Sequence, residues 1–150
     1  MKIVFRLTWA KGSAGARAFK SKETFSLFSE YCERIGRFSS CEVGGGAESW
    51  KKNAGVLVWM CDRARKARPL SSEDVAAALD SSCSAGAREL HILIGGADGF
   101  TEKDDALWKP DLRWSFGPLT LPHELASVVA AEQVYRAWTI LKKHPYHQGH

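Results

Sequence analysis

Leu90-His91-Ile92-Leu93-Ile94 runs without interruption into Gly95-Gly96-Ala97-Asp98-Gly99. A continuous apolar run of this length suits a strand covered on both faces, as in a parallel sheet. The glycines that follow predict a tight turn at the strand's C-terminal end. Val56-Leu57-Val58-Trp59-Met60-Cys61 is a second run of the same kind. Between the two, Ser71 and Asp74 have the spacing of a capping box. They predict a helix through Val75 and Leu79 that stops near Gly86. Strand, helix and strand in this order argue for an α/β fold with a mainly parallel sheet.

The flanks extend the alternation. Ile3, Phe5, Leu7 and Trp9 alternate with other residues and predict a strand. Lys11-Gly12-Ser13-Ala14-Gly15 breaks it, and a helix is expected from about Ala18 to Ile35, with Phe25, Phe28, Cys32 and Ile35 on one face. Cys41-Glu42-Val43 reads as a short strand ended by Gly44-Gly45-Gly46. Glu102, Asp104 and Asp105 suit the first turn of a short helix after Thr101. Trp114-Ser115-Phe116 reads as a last short strand. Residues 117–122 form a loop into a long helix from about His123 to Lys142. Leu125, Val128 and Val129 are one apolar group on that helix, and Val134, Trp138 and Leu141 another. His144 to His150 are a tail.

The chain has 150 residues, enough for one domain with a real core, and 1–150 is read as a single domain. Hydrophobic residues are 45% and charged residues 25%, which excludes collagen-like and low-complexity classes. No apolar run approaches the roughly 18 residues of a membrane span. The start, Met1-Lys2-Ile3-Val4-Phe5-Arg6, lacks the apolar core of a signal peptide, so a cytosolic location is expected. A net charge of +4 permits a nucleic-acid partner without demanding one. Cys32, Cys41, Cys61 and Cys83 have neither CxxC nor zinc-finger spacing and read as reduced thiols, with no metal site.

Four segments are candidates for chemistry. Gly95 to Gly99 would let a ligand approach the backbone at a strand end, where α/β sheets bind ligands; it is neither a GxGxxG nor a Walker loop, and it also reads as a plain turn. Phe116 to Pro122 is a stiff, uncharged loop suited to a flat ligand such as a purine, or simply to leading into a helix. The tail offers His144, Tyr146 and His147, able to stack, hydrogen-bond or move protons, or merely frayed. Arg63, Arg65, Lys66 and Arg68 would suit phosphates or form a solvated loop. Glu132 and Arg136 have the i, i+4 spacing of an ordinary surface ion pair.

Read together, four motifs resemble one family. Ile92-Leu93-Ile94-Gly95-Gly96-Ala97-Asp98-Gly99 is followed in order by Leu119-Thr120-Leu121-Pro122-His123-Glu124-Leu125, by Glu132-Gln133-Val134-Tyr135-Arg136-Ala137-Trp138 and by His144-Pro145-Tyr146-His147. The set is similar to the SPOUT-class methyltransferases that modify a pseudouridine of bacterial large-subunit ribosomal RNA. It covers residues 89–148 closely, and extends weakly to residues 2–9 and 30–38.

The resemblance implies a deep trefoil knot near the C-terminus, a homodimer and S-adenosylmethionine bound in the knot. Its cofactor contacts would fall on Cys61, Gly95, Phe116, Gly117, Pro118, Leu119, Thr120 and Leu121, mostly through backbone groups. The implied product is pseudouridine methylated at ring nitrogen three, on ribosomal RNA or the assembled ribosome. His147 and Tyr146 are then candidates for shaping the removal of the imide proton, and Arg136 for contact with phosphate or base. The chain departs from the family pattern in a short segment between Val43 and Val56, in a more basic loop after Cys61, and in Ser127, where the family usually has arginine. The alternative is a divergent relative that binds the cofactor but has another RNA substrate or no transferase activity. A plain nucleotide-binding α/β protein is a third reading.

Overall fold

The computed structural model describes residues 1–12, 14–47, 50–63 and 67–148. Ser13, residues 64–66 (with Arg65 and Lys66 of the basic run) and the tail's Gly149 and His150 lie outside the described residues.

Six strands form an all-parallel sheet: β1 (Lys2–Lys11), β2 (Cys41–Gly46), β3 (Val56–Cys61), β4 (Arg68–Pro69), β5 (Glu89–Ile94) and β6 (Leu112–Ser115). Their order across the sheet is β2-β1-β5-β3-β6-β4. The helices are α1 (Lys22–Ile35), α2 (Ser72–Ser84), α3 (Glu102–Trp108) and α4 (His123–Leu141). The two apolar runs become the neighbouring strands β3 and β5, paired from Val56↔Glu89 to Cys61↔Ile94. Both are covered on both faces, which is why they read as unbroken apolar stretches. On one face Ile3, Phe5, Leu7, Trp59, Leu90 and Ile92 pack with Phe28, Leu79, Val134 and Trp138 of α1, α2 and α4. On the other, Val58, Met60 and Leu93 pack with Trp108 of α3 and with Trp50. Burying side chains such as Phe28 or Leu79 contributes roughly 1.5–3 kcal/mol each.

Helix starts follow local capping. Ser71 accepts a hydrogen bond from the Asp74 amide, and Asp74 returns one from the Ser71 amide, so the capping box forms as read. Thr101 and Asp104 form a second box at the start of α3. Gly86, with φ of +78°, turns the chain after α2.

Four expectations need correction. First, α1 begins at Lys22, not Ala18: Ser21 caps it by accepting from the Thr24 amide at 3.1 Å, while Phe19 is extended and packs against Trp9, Phe25 and Phe28. Second, Gly44-Gly45-Gly46 does not end β2 but belongs to it. The pairing of β1 shifts register between Leu7 and Lys11, and a Cβ on Gly45 would lie 2.5 Å from the Ala10 carbonyl oxygen. Only glycine fits that close approach. Third, β6 covers Leu112–Ser115, and Phe116 lies beyond it. Ser115 Oγ accepts from the Gly117 amide at 3.1 Å, and Gly117, with φ of +100°, turns the chain away. Fourth, Leu125 is exposed, because the buried stripe of α4 begins at Ser127 and Val128.

One buried ionisable group makes stability depend on pH. His91 on β5 is 3% exposed. Its Nδ1 accepts from Arg6 Nε at 3.3 Å, and its Nε2 faces Glu89 Oε2 at 3.0 Å. Burial, aided by the Arg6 charge and opposed by Glu89, lowers its pKa below the usual 6.5. Below about pH 6.5 the unfolded chain therefore binds the extra proton before the folded chain does. Stability should be full above that pH and fall as pH drops through the folded-state value. Thermal unfolding of His91→Gln should lack this slope between pH 7 and 5. An identical slope in the variant would remove His91 as the cause. Glu89, whose pKa is lowered by hydrogen bonds from His91 and Lys2, adds a loss of its own only below about 4.5.

Candidate functional site

Parallel pairing puts the C-terminal ends of β3, β5 and β6 at one edge of the sheet. Open α/β sheets bind ligands at such ends. The three loops leaving them, with the start of α4, enclose a cavity of about 440 Å³, within the usual range for small-ligand sites. Cys61 at the end of β3, with Asp62 and Arg63 of the loop after it, forms the first wall. Residues 94–97, Gly99 and Phe100 come from the second. Phe116, Gly117, Leu119, Thr120 and Leu121 come from the third, and Pro122, His123 and Ala126 from the entry to α4.

Seven of the eight residues expected to contact a cofactor thus line one cavity: Cys61, Gly95, Phe116, Gly117, Leu119, Thr120 and Leu121. Pro118 is not among the lining residues. The glycines let the turn after β5 pack closely on its neighbours. A Cβ on Gly95 would meet the Phe100 ring at 3.1 Å, and one on Gly96 would meet Trp9 Cβ at 3.3 Å. Burial, with the neighbouring Asp62 charge, raises the Cys61 thiol well above its usual pKa, so it stays protonated and acts as an apolar wall rather than a nucleophile. Leu119 is 70% exposed at the rim. His123, part of the second motif but given no role in the sequence reading, lines the cavity while its ring meets Trp9 edge-on at 4.5 Å.

The three residues expected near the transfer step form a second cluster, outside the lining of that cavity. Arg136 on α4 donates through Nε and Nη2 to Glu132 Oε1, at 2.9 and 2.6 Å. Tyr146 Oη donates to the same oxygen at 3.1 Å. Arg136 also lies over the Tyr146 ring, 4.8 Å from its centre. Arg136 Nη1 faces His147 Nδ1 at 3.1 Å, and His147 Nε2 faces Glu73 Oε1 of α2 at 2.9 Å. Arginine can only donate, so Nδ1 accepts and Nε2 carries the hydrogen directed at Glu73. Gln133 bridges Ser72 and Glu132. The i, i+4 pair is thus a partly buried anchor for the tail rather than a solvated ion pair.

Electrostatics sort the roles within this cluster. Burial opposes the Arg136 charge, but the hydrogen bond and charge of Glu132 outweigh it and raise the pKa further. Burial, with Tyr31 and Glu132 nearby, also raises the Tyr146 phenol. Tyr146 therefore remains a donor at neutral pH.

Ser127 is fully buried and donates to the His123 carbonyl at 2.9 Å, within its own helix. Arg63 is exposed at the cavity, and Arg68 lies in β4. All four cysteines are free thiols. Among the described residues no group of His, Cys, Asp and Glu is placed to hold a metal, and no helix is long and apolar enough to cross a membrane.

The chain is similar to several known proteins. Two curated relatives carry the name Ribosomal RNA large subunit methyltransferase H. The one from Thioalkalivibrio sulfidiphilus (strain HL-EbGR7) is 46% identical over 83 residues, 55% of this chain and 51% of the relative. The one from Xylella fastidiosa (strain M12) is 46% identical over 84 residues, 56% of this chain and 52% of the relative. The match spans about half the length of these curated relatives. A methyltransferase from Legionella pneumophila, solved with bound SAM, gives a TM-score of 0.44 at 16% identity, over 92% of this chain and 66% of its own. Residues 16–147 match the family described as "Predicted SPOUT methyltransferase". The chain belongs to the SPOUT methyltransferase family.

Proposed function

We propose that this chain methylates large-subunit ribosomal RNA, at ring nitrogen three of a pseudouridine, with S-adenosylmethionine as methyl donor. The observation that carries the reading is the convergence of the loops after β3, β5 and β6 on one glycine-walled cavity. Its size and its mix of apolar side chains with open backbone fit an adenosyl group. The names of the relatives supply the RNA class. In this reading Gly95, Phe116, Gly117, Leu119, Thr120 and Leu121 hold the adenosine portion, with Pro118 shaping the same loop. The cofactor, when bound, supplies an electrophilic methyl group on a sulfonium sulfur.

The rest is positioning and proton handling by the chain. Alignment of the acceptor nitrogen with the methyl group supplies much of the rate. The imide proton of the base must leave as the nitrogen is methylated. His147 accepts it through Nδ1 once Arg136 turns to the RNA and releases that nitrogen, since Tyr146 is held protonated and Arg136 only donates. Arg136 and Tyr146 orient the base or its phosphate. Because this cluster lies outside the cavity of its own chain, we assign it to the cavity of a second copy. The active form is then a homodimer, with a trefoil knot around the cofactor loops, working on ribosomes or their RNA in the cytoplasm.

The deciding experiment is transfer of tritiated methyl groups to ribosomal particles that lack the modification. Incorporation at a pseudouridine supports the reading, and cofactor binding without incorporation favours the divergent alternative. His147→Ala should lower single-turnover transfer about a hundredfold or more at saturating cofactor. An unchanged rate would remove it from the reaction.

A further inference from the structure

Arg113 belongs to no motif, yet it joins two walls of the cavity. It lies on β6 opposite Met60 of β3. Its Nη1 is 3.5 Å from Asp62 Oδ2, in the loop after β3. Its Nη2 is 2.9 Å from Asp105 Oδ1 on α3, the helix that follows the Gly95–Gly99 turn. The Asp62 amide also donates to the Trp114 carbonyl at 2.9 Å, so the backbone and side chain of Asp62 are both tied to β6. Asp62 is 14% exposed and Arg113 21% at the side chain, which shields the pair from solvent.

Asp62 lines the cavity next to Arg63. Among the described residues these two, with Cys61 and His123, are the titratable side chains of the lining, and apart from Thr120 the remainder is apolar or glycine. One rim thus presents an anion beside a cation, while the interior presents a surface suited to a purine. A ligand with an adenosyl body and a zwitterionic amino-acid end matches that distribution.

We propose that Asp62, held in place by Arg113, receives the ammonium group of the cofactor's amino-acid end, with Arg63 facing its carboxylate. This rests on reading the cavity as the S-adenosylmethionine site. Asp62 sets selection for the amino-acid end, and Arg113 is a positioning residue that acts through it.

The test is calorimetric binding of S-adenosylmethionine and of 5′-methylthioadenosine, which lacks the amino-acid end. Asp62→Asn should weaken S-adenosylmethionine about tenfold, the loss expected of a charged hydrogen bond, and leave methylthioadenosine unchanged. Arg113→Gln should show the same selective loss, and the double variant should be no weaker than Asp62→Asn, since the two act in one chain of contacts. A purely structural role would weaken both ligands alike. Equal losses, or none, overturn the proposal. Asp62→Asn keeps the shape of the side chain and decides the matter by itself if Arg113→Gln folds poorly. Failure of the unaltered protein to bind either ligand overturns the cofactor reading, and this inference with it. Normal binding with an indifferent Asp62→Asn overturns the inference alone.

Discussion

Gly95→Val lowers S-adenosylmethionine affinity about a hundredfold while leaving the fold intact; this is the largest binding effect expected of any single change. Gly95 directly follows β5 and lines the cavity. It is absent from the glycines with positive φ, so its backbone accepts a side chain without strain. Space is the difficulty. A Cβ would already meet Phe100 Cε2 at 3.1 Å and the Gly99 carbonyl carbon at 3.4 Å, and valine adds two more carbons. Overpacking of this order costs about 1–3 kcal/mol; displacing Phe100, which lines the cavity, relieves it at the expense of the volume the ligand needs. Isothermal calorimetry measures the loss, and circular dichroism with thermal unfolding shows that the sheet persists. Unchanged affinity in a folded variant would mean that the ligand does not sit between the loops after β5 and β6.

Glu132→Ala has the opposite signature: cofactor binding is retained and methyl transfer falls about a hundredfold. Glu132 lines no part of the cavity but accepts from Arg136, Tyr146 and Gln133 together. Its side chain is 17% exposed and that of Arg136 is 24%. Without the carboxylate, Arg136 loses its main partner and the tail loses the anchor that places Tyr146 and His147. Misplacement of reacting groups by about 1 Å costs on the order of a hundredfold in rate. Hydrogen bonds to a charged group are worth about 1.5–3 kcal/mol each, so some stability is lost as well, about 2 kcal/mol after the freed groups meet water. Glu132→Gln retains an acceptor oxygen and should recover part of both losses. Full transfer activity in Glu132→Ala would separate the tail cluster from the reaction.

The two experiments address different halves of the proposed site, and those halves differed in how far they could be read in advance. The loops around the cavity were legible because each is bounded by a short local signal, whereas their assignment to a cofactor came from the family resemblance. An apolar run marks a buried strand, and glycine or proline directly after it marks the loop. The strand β3 matched its expected limits, the Ser71–Asp74 capping box formed as read, and the acidic turn expected after Thr101 opened α3. The tail half was visible as residues but not as a cluster. Glu132 and Arg136 look like any i, i+4 pair until Tyr146, His147 and, from another helix, Glu73 arrive beside them. Arg113 carried no signal, because its meaning lies in contacts 51 and 8 residues away along the chain, to Asp62 and Asp105.

Strand order shows the same division. Nothing local says that β6 lies between β3 and β4, or that β4 consists of Arg68 and Pro69 alone, paired with Trp114 and Ser115. A two-residue strand has no periodicity to detect. The glycines of β2 read as a terminator because glycine weakens isolated strands; here the irregular edge of β1 leaves no room for a side chain.

From the sequence by itself came the element types, most of their limits, the α/β class and the loops that would face a ligand, since periodicity and capping act over a few residues. Tertiary structure alone decided which loops meet, which carboxylate Arg113 restrains and where the tail docks. Those outcomes depend on packing between residues far apart in the chain, which no local pattern encodes.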